Sequence, residues 1–218
     1  MEKQQKTQID DINRKIYDIK DEDTNNYKTD KGLTSDIVKE ISRQKNEPEW
    51  MLNHRLKSLE IYNKTPLPTW GPSLNELNMK QIVTYVKPNT KMKSDWNEVP
   101  DYIKNTFERL GIPKAERESL AGVGAQYDSE VVYHNIKKEL LNQGVIYTDM
   151  ETAVKEHEDI VRELFMKLVP PTDHKFAALH GAVWSGGSFV YVPEGVKLSI
   201  PLQSYFRLNA PGAGQFEH

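Results

Sequence analysis

The stretch SGGSFVYVPEGVKLSIPLQSYFRLN, from Ser185 to Asn209, decides the fold. Phe189–Val192, Val196–Ile200 and the run ending at Asn209 are rich in β-branched and aromatic residues. Gly186-Gly187 and Pro193-Glu194-Gly195 supply the turn residues between them. The reading is strand, turn, strand, turn, strand. Short strands joined by turns with no room for a helix fit a sandwich, a meander or the coils of a solenoid. In each case they leave edges that invite pairing.

Working back from this stretch, small residues and glycines begin near Phe176, and the chain changes character at Pro170-Pro171, where a domain boundary is expected. Upstream the period is helical. In LTSDIVKEISRQKNEPEW, Thr34 or Ser35 can cap a helix whose apolar face is Ile37, Val38 and Ile41, and Pro48 suits the first turn of the next. That second helix carries Leu52, Leu56 and Leu59 and breaks at KTPLPTWGP. QIVTYVKP predicts a short edge strand, VPDYIKNTFERLGIP a helix stopped by Gly111, and VIYT a further strand. Helices are expected over Ser129–Gln143 and across Met150–Leu168, the latter broken near His157-Glu158. Residues 1–32 are polar and have the composition of a flexible tail. Within them Ile9, Ile12, Ile16 and Ile19 would form a narrow seam on a helix, suited to docking. The fold class is α+β: a tail over 1–32, a mainly helical domain over 33–172 with one or two short strands, and a β segment over 173–218.

Composition excludes several classes of function. A net charge of −3 with no long basic run gives no general attraction to nucleic acid or to acidic membranes. The absence of cysteine removes disulfides, thiolate nucleophiles and cysteine-held metals from this sequence. No apolar run approaches the roughly 18 residues of a membrane span, and the N-terminus has no apolar signal core, so a soluble, cytoplasmic protein is expected.

Motifs for chemistry are equally sparse. GVGAQY at Gly122–Tyr127 lacks the third glycine and the preceding strand of a dinucleotide fingerprint, and reads as a structural loop. There is no phosphate-binding GxxxxGK[ST], and VWSGGSF is no nucleophile elbow. The six histidines are scattered. His174 and His180 could meet across strands, but two imidazoles without a third ligand make a poor metal site. The four tryptophans have no basic stripe beside them and read as core plugs and loop anchors. Arg207 and Asn209, two apart in a strand, share one face, with Phe206 and Leu208 on the other. Either the Phe206 face packs inward and Arg207 and Asn209 are solvated, or they point into the lumen of a closed β structure and signal a polar channel.

The stretches NEPEWMLNHRLKSLEIYNKTPLPTWGP, ERLGIPKAERESLAGVGAQYDSEVVYHN, QGVIYTDM, KFAALHGAVWSGGSFVYVPEGV and IPLQSYFRLNAPGAGQFEH together resemble the SufB family of scaffolds in the SUF iron–sulfur cluster assembly system. The resemblance implies an N-terminal helical domain followed by the first coils of a right-handed parallel β-helix, in a protein about twice this length. It implies partnership with the SufC ATPase and with SufD or a second SufB. The family's sulfur-accepting cysteine and cluster ligands would lie beyond residue 218, so this piece is expected to hold no cofactor or metal and to have no enzymatic activity, and to be a truncated fragment able to self-associate through open strand edges. Arg207 and Asn209 match the family's FRxN strand, which implies that they line the path along which sulfur travels. A SufD-like partner and a non-catalytic β-solenoid interaction module are the alternatives. A polysaccharide-cleaving β-helix would show clustered acids or calcium ligands, and residues 176–218 carry none.

Overall fold

The computed structural model describes residues 20–22, 25–110, 120 and 122–218. The isoleucine seam of residues 9–19 and the glycine stop at position 111 lie outside the described residues.

The helices form largely where caps and apolar spacing place them. Helix α1, Ser35–Lys45, opens where Thr34 Oγ1 accepts from the Ile37 N–H at 3.3 Å and closes on Asn46, whose φ of 49° ends the turn. Helix α2, Glu49–Lys64, follows immediately, with Pro48 as its N-cap rather than inside its first turn. Helix α3 is Asp101–Arg109 and α4 the short Lys138–Leu141. Helices α5, Met150–Glu156, and α6, Glu158–Leu164, break at His157 as expected.

Residues 175–183 differ from expectation. They form helix α7, Lys175–Val183, because His174 Nδ1 accepts from the Phe176 and Ala177 N–H groups and the alanines that follow favour helix. Their smallness serves packing: a Cβ at Gly181 would lie 2.6 Å from Ser58 Oγ, so α7 can press onto α2. Ile37, Val38 and Ile41 of α1, Leu59 of α2 and Leu179, Ala182 and Val183 of α7 bury together around Tyr85. A neighbouring cluster joins Met51, Val154, Val161 and Phe165 around the wholly buried Trp184.

The strands are β1, Tyr27–Lys28; β2, Val86–Lys87; β3, Gly122–Tyr127; β4, Glu130–Ile136; β5, Ile146–Asp149; β6, Ser188–Tyr191; and β7, Leu202–Arg207. They make three small sheets: β1 with β2, β4-β3-β7, and β5 with β6. Three pairings are antiparallel, and β3 with β7 is parallel, from Gly122 opposite Leu202 to Tyr127 opposite Arg207.

Three expectations are corrected here. GVGAQY is a central strand, not a loop: Gly122 and Gly124 leave room for the ring of Tyr147, which a Cβ at Gly122 would meet at 2.6 Å. The helix expected over 129–143 is confined to Lys138–Leu141, and Glu130–Ile136 is strand, since the Val131-Val132-Tyr133 run finds a partner in β3 and pairing overrides helix propensity. Val196–Ile200, between Pro193 and Pro201, forms no strand.

Ile103 and Phe107 of α3 pack on Val123, Ala125 and Tyr127 of β3 to complete a third cluster. Pairing crosses Pro170-Pro171: β6 lies on β5 and β7 on β3, so the C-terminal strands share sheets with earlier ones. The described residues of the polar leader are tied in as well. Tyr27–Lys28 pairs with β2, and Asp21 bonds to Arg109 at 3.0 Å and to Tyr127 at 2.7 Å. The architecture is mixed α+β, and no closed barrel or solenoid coil is present among the described residues.

Candidate functional site

Helices and sheets meet at Ser185–Ser188, immediately after α7. Arg55 of α2 anchors the approach. Its guanidinium grips Glu47 at 2.8 and 2.6 Å, donates to the carbonyls of Ala182 at 3.2 Å and Trp184 at 2.9 Å, and lies 4.6 Å over the Trp184 ring. Both charged side chains are sealed from water, so the pair holds only because nearly every donor is used.

The next two residues are read by side chains from the other layers. The Gly186 N–H donates to Glu151 at 2.6 Å, and the Gly187 N–H donates to Gln126 Oε1 at 2.8 Å. Glycine is required at both. Gly186 has φ 69° and Gly187 φ 100°, and a Cβ would stand 1.9 Å from Gln126 Oε1 at the first and 1.9 Å from the His218 carbonyl oxygen at the second. Glu151 also accepts from Lys45, whose ammonium bonds Glu130 at 3.2 Å, and the Tyr85 hydroxyl donates to the same Glu130 oxygen. Burial alone would lower the Lys45 pKa, but the Glu130 and Glu151 carboxylates more than offset it and hold it up. Burial would likewise raise Glu151, and Lys45 instead holds it below the usual carboxylate range. Asp149, which caps α5 by accepting from the Thr152 N–H at 2.9 Å, is pushed up by burial and by the charge of Glu151.

The last residues of the chain close the junction. The Ser185 N–H donates to the Phe216 carbonyl at 2.9 Å and the Ser188 N–H to that of His218 at 3.0 Å. His180 Nε2 and His218 Nδ1 are 2.8 Å apart, and the His218 ring leans on Phe165 at 4.2 Å. Burial lowers both imidazole pKa values to about 4, helped by Arg55 at His180 and by His180, His54 and Arg55 at His218. At neutral pH both rings are uncharged, one donating and the other accepting.

The pairing of His174 with His180 is not found: His174 caps α7, and His180 meets His218 instead. Among the described residues no group of three or more His, Asp or Glu is placed to hold a metal ion. What the groups do is lock backbone, using buried charge whose partners are 106 positions apart in the case of Lys45 and Glu151. No local sequence signal marks Lys45, Glu151 or Arg55, since each lies on a helix where an exposed charge is the ordinary reading.

Arg207 and Asn209 fall beside this junction. Arg207 ends β7 opposite Tyr127, and its carbonyl accepts from the Asp128 N–H at 2.8 Å. Asn209 is 3 % exposed: its side-chain oxygen accepts from the Asp21 N–H at 2.9 Å, and its own N–H donates to Asp128 Oδ1 at 2.7 Å. Phe206, by contrast, is 39 % exposed. Phe206 stands opposite the buried Gln126 in the parallel register, on the sheet face away from the cluster that Tyr127 and Tyr205 join.

Residues 35–204 match the family model described as the SufBD protein N-terminal region. The chain is 56 % identical over 207 residues to the iron–sulfur cluster assembly protein SufB of Bacillus subtilis, covering 95 % of this chain and 44 % of that protein. It is 53 % identical over the same length to SufBD family iron–sulfur cluster assembly proteins of Staphylococcus aureus and Staphylococcus haemolyticus, again over 95 % of this chain and 44 % of theirs. The chain thus spans less than half the length of the curated relatives it matches. With a family model that covers most of it, and a majority of positions shared with SufB, the chain belongs to the SufBD family of iron–sulfur cluster assembly proteins.

Proposed function

We propose that this chain is the N-terminal part of a SufB-type scaffold on which iron–sulfur clusters are built. The observation that carries the reading is the 56 % identity with Bacillus SufB across 207 residues. On this reading the longer protein works in the cytoplasm with the SufC ATPase and with SufD or a second SufB. Sulfur acceptance and cluster binding belong to residues outside this sequence, which has no thiol. The cluster is the cargo of the whole protein, and this portion is a structural base, neither an enzyme nor a cofactor carrier.

The parallel pairing of β7 with β3 supports β7 as the first rung of a right-handed parallel β-helix, because its outer edge is open to a following strand. Arg207 and Asn209 would border the sulfur path at this rung, with Asn209 fixing the end of β7 through Asp21 and Asp128. Without further coils the same edge would lead copies of this chain to associate.

Anaerobic reconstitution with iron and sulfide tests the division of labour. This chain is expected to take up no stoichiometric cluster, whereas a version extended to the relatives' length is expected to take one up and to co-purify with SufC. Cluster formation on the 218 residues alone would overturn the assignment.

A further inference from the structure

A cleft of about 550 Å³ lies between α2 and residues 162–172. Its size is that of a small-molecule site, for which roughly 300–1,000 Å³ is usual. Trp50, His54, Lys57 and Ile61 line one wall, at the spacing of a single face of α2. Phe165 stands edge-on to Trp50 at 6.4 Å and to His54 at 5.1 Å, giving the cleft an aromatic end. Pro170 and Pro171 stiffen the opposite rim.

The charges around this cleft are of one sign. Lys57, Arg162 and Lys167 line it, and no Asp or Glu does, although the chain as a whole is net negative. Arg162 lies 5.9 Å over the Trp50 ring and shares Glu158 at 3.5 Å, while Lys57 and Lys167 are exposed and make no ion pair among the described residues. Two buried nitrogens in the lining residues, Trp50 Nε1 and His54 Nε2, have no hydrogen-bond partner. A buried polar atom left this way calls for a partner, which a water, an ion or a ligand in the cleft would supply. His54 is held neutral by burial and by the neighbouring cations, with a pKa of about 4, so it can accept or donate a hydrogen bond without adding charge.

We propose that this cleft binds a small anion carrying a flat aromatic ring, with the ring against Trp50 and Phe165 and the anionic group between Lys57 and Lys167. Nothing in the scaffold reading above requires such a site. Isothermal titration of this chain with 2-naphthyl phosphate, 2-naphthol and inorganic phosphate tests it, alongside the NMR shift of the Trp50 indole N–H.

The aryl phosphate is expected to bind and to move the indole signal, and each of its halves to bind more weakly. Lys57→Ala and Lys167→Ala should each weaken binding by roughly tenfold, equivalent to about 1.4 kcal/mol. Both lysines are exposed, so an unchanged circular dichroism spectrum serves as the folding control. No binding at millimolar concentration, equal affinity for 2-naphthol, or full affinity in the double lysine variant would overturn the proposal.

Discussion

Arg55 concentrates more interactions than any other charge described above. Its side chain is fully buried, and Glu47 beside it is 1 % exposed. Removing one member of such a pair strands the other's charge in a medium that cannot solvate it. Arg55→Ala should therefore cost about 3–5 kcal/mol, read as a fall in the urea midpoint. Replacing both partners together, Arg55→Met with Glu47→Leu, removes the stranded charge and should recover much of that loss. If the double variant proves weaker than Arg55→Ala, a stranded Glu47 charge is not what the single variant loses. None of this is written locally in NEPEWMLNHRLK, where Arg55 reads as one more solvated helix charge.

At the scale of elements, β3 holds the largest sheet together. It has β4 on one side and β7 on the other, so its amides are bonded whichever way they point, whereas β6 and β7 are edge strands. Hydrogen exchange should accordingly be slower across Val123–Tyr127 than across Ser188–Tyr191 or Leu202–Arg207. Comparable rates in all three would mean that another surface covers the edges.

The same elements show where the sequence was readable. Helices α1, α2, α3, α5 and α6 were legible because capping residues and apolar spacing act within a few positions. Strand β3 was not, because Gly122 and Gly124 read as chain breakers until Tyr147 is seen to fill the space above them. Helix α7 was missed for a related reason: KFAALHGAV is apolar on all sides, so it has no period to detect, and its small residues answer to α2 more than one hundred positions earlier. Of the candidate site, Gly186-Gly187 stood out as punctuation, and Arg207 and Asn209 through their spacing on one strand face and then through the resemblance. The carboxylates and amides that bind the two glycines did not, since their spacing along the chain follows no rule.

Taken as a whole, the molecule carries four imidazoles that folding keeps neutral. His54, His134, His180 and His218 each have a pKa lowered to about 4, chiefly by burial. In the unfolded chain a histidine titrates near 6.5. Between those values the unfolded state binds protons that the native state refuses, so stability is full above about pH 6.5 and falls as pH drops towards 4. Glu151, held low by Lys45, adds a loss of the same sign as pH falls below the ordinary carboxylate range. Thermal melts at constant ionic strength should show the melting temperature falling steadily from pH 7 to pH 4. A flat profile would mean that these rings are hydrated in solution.

The junction also has a history during synthesis. Arg55 waits for Trp184, 129 positions later, and Asp21 for Asn209, 188 positions later. A ribosome adding about 5–20 residues per second emits 129 residues in on the order of ten seconds, and for most of that interval the side of α2 that packs on α7 lacks that partner. A pause in translation before codon 184 would prolong the exposure of that side of α2.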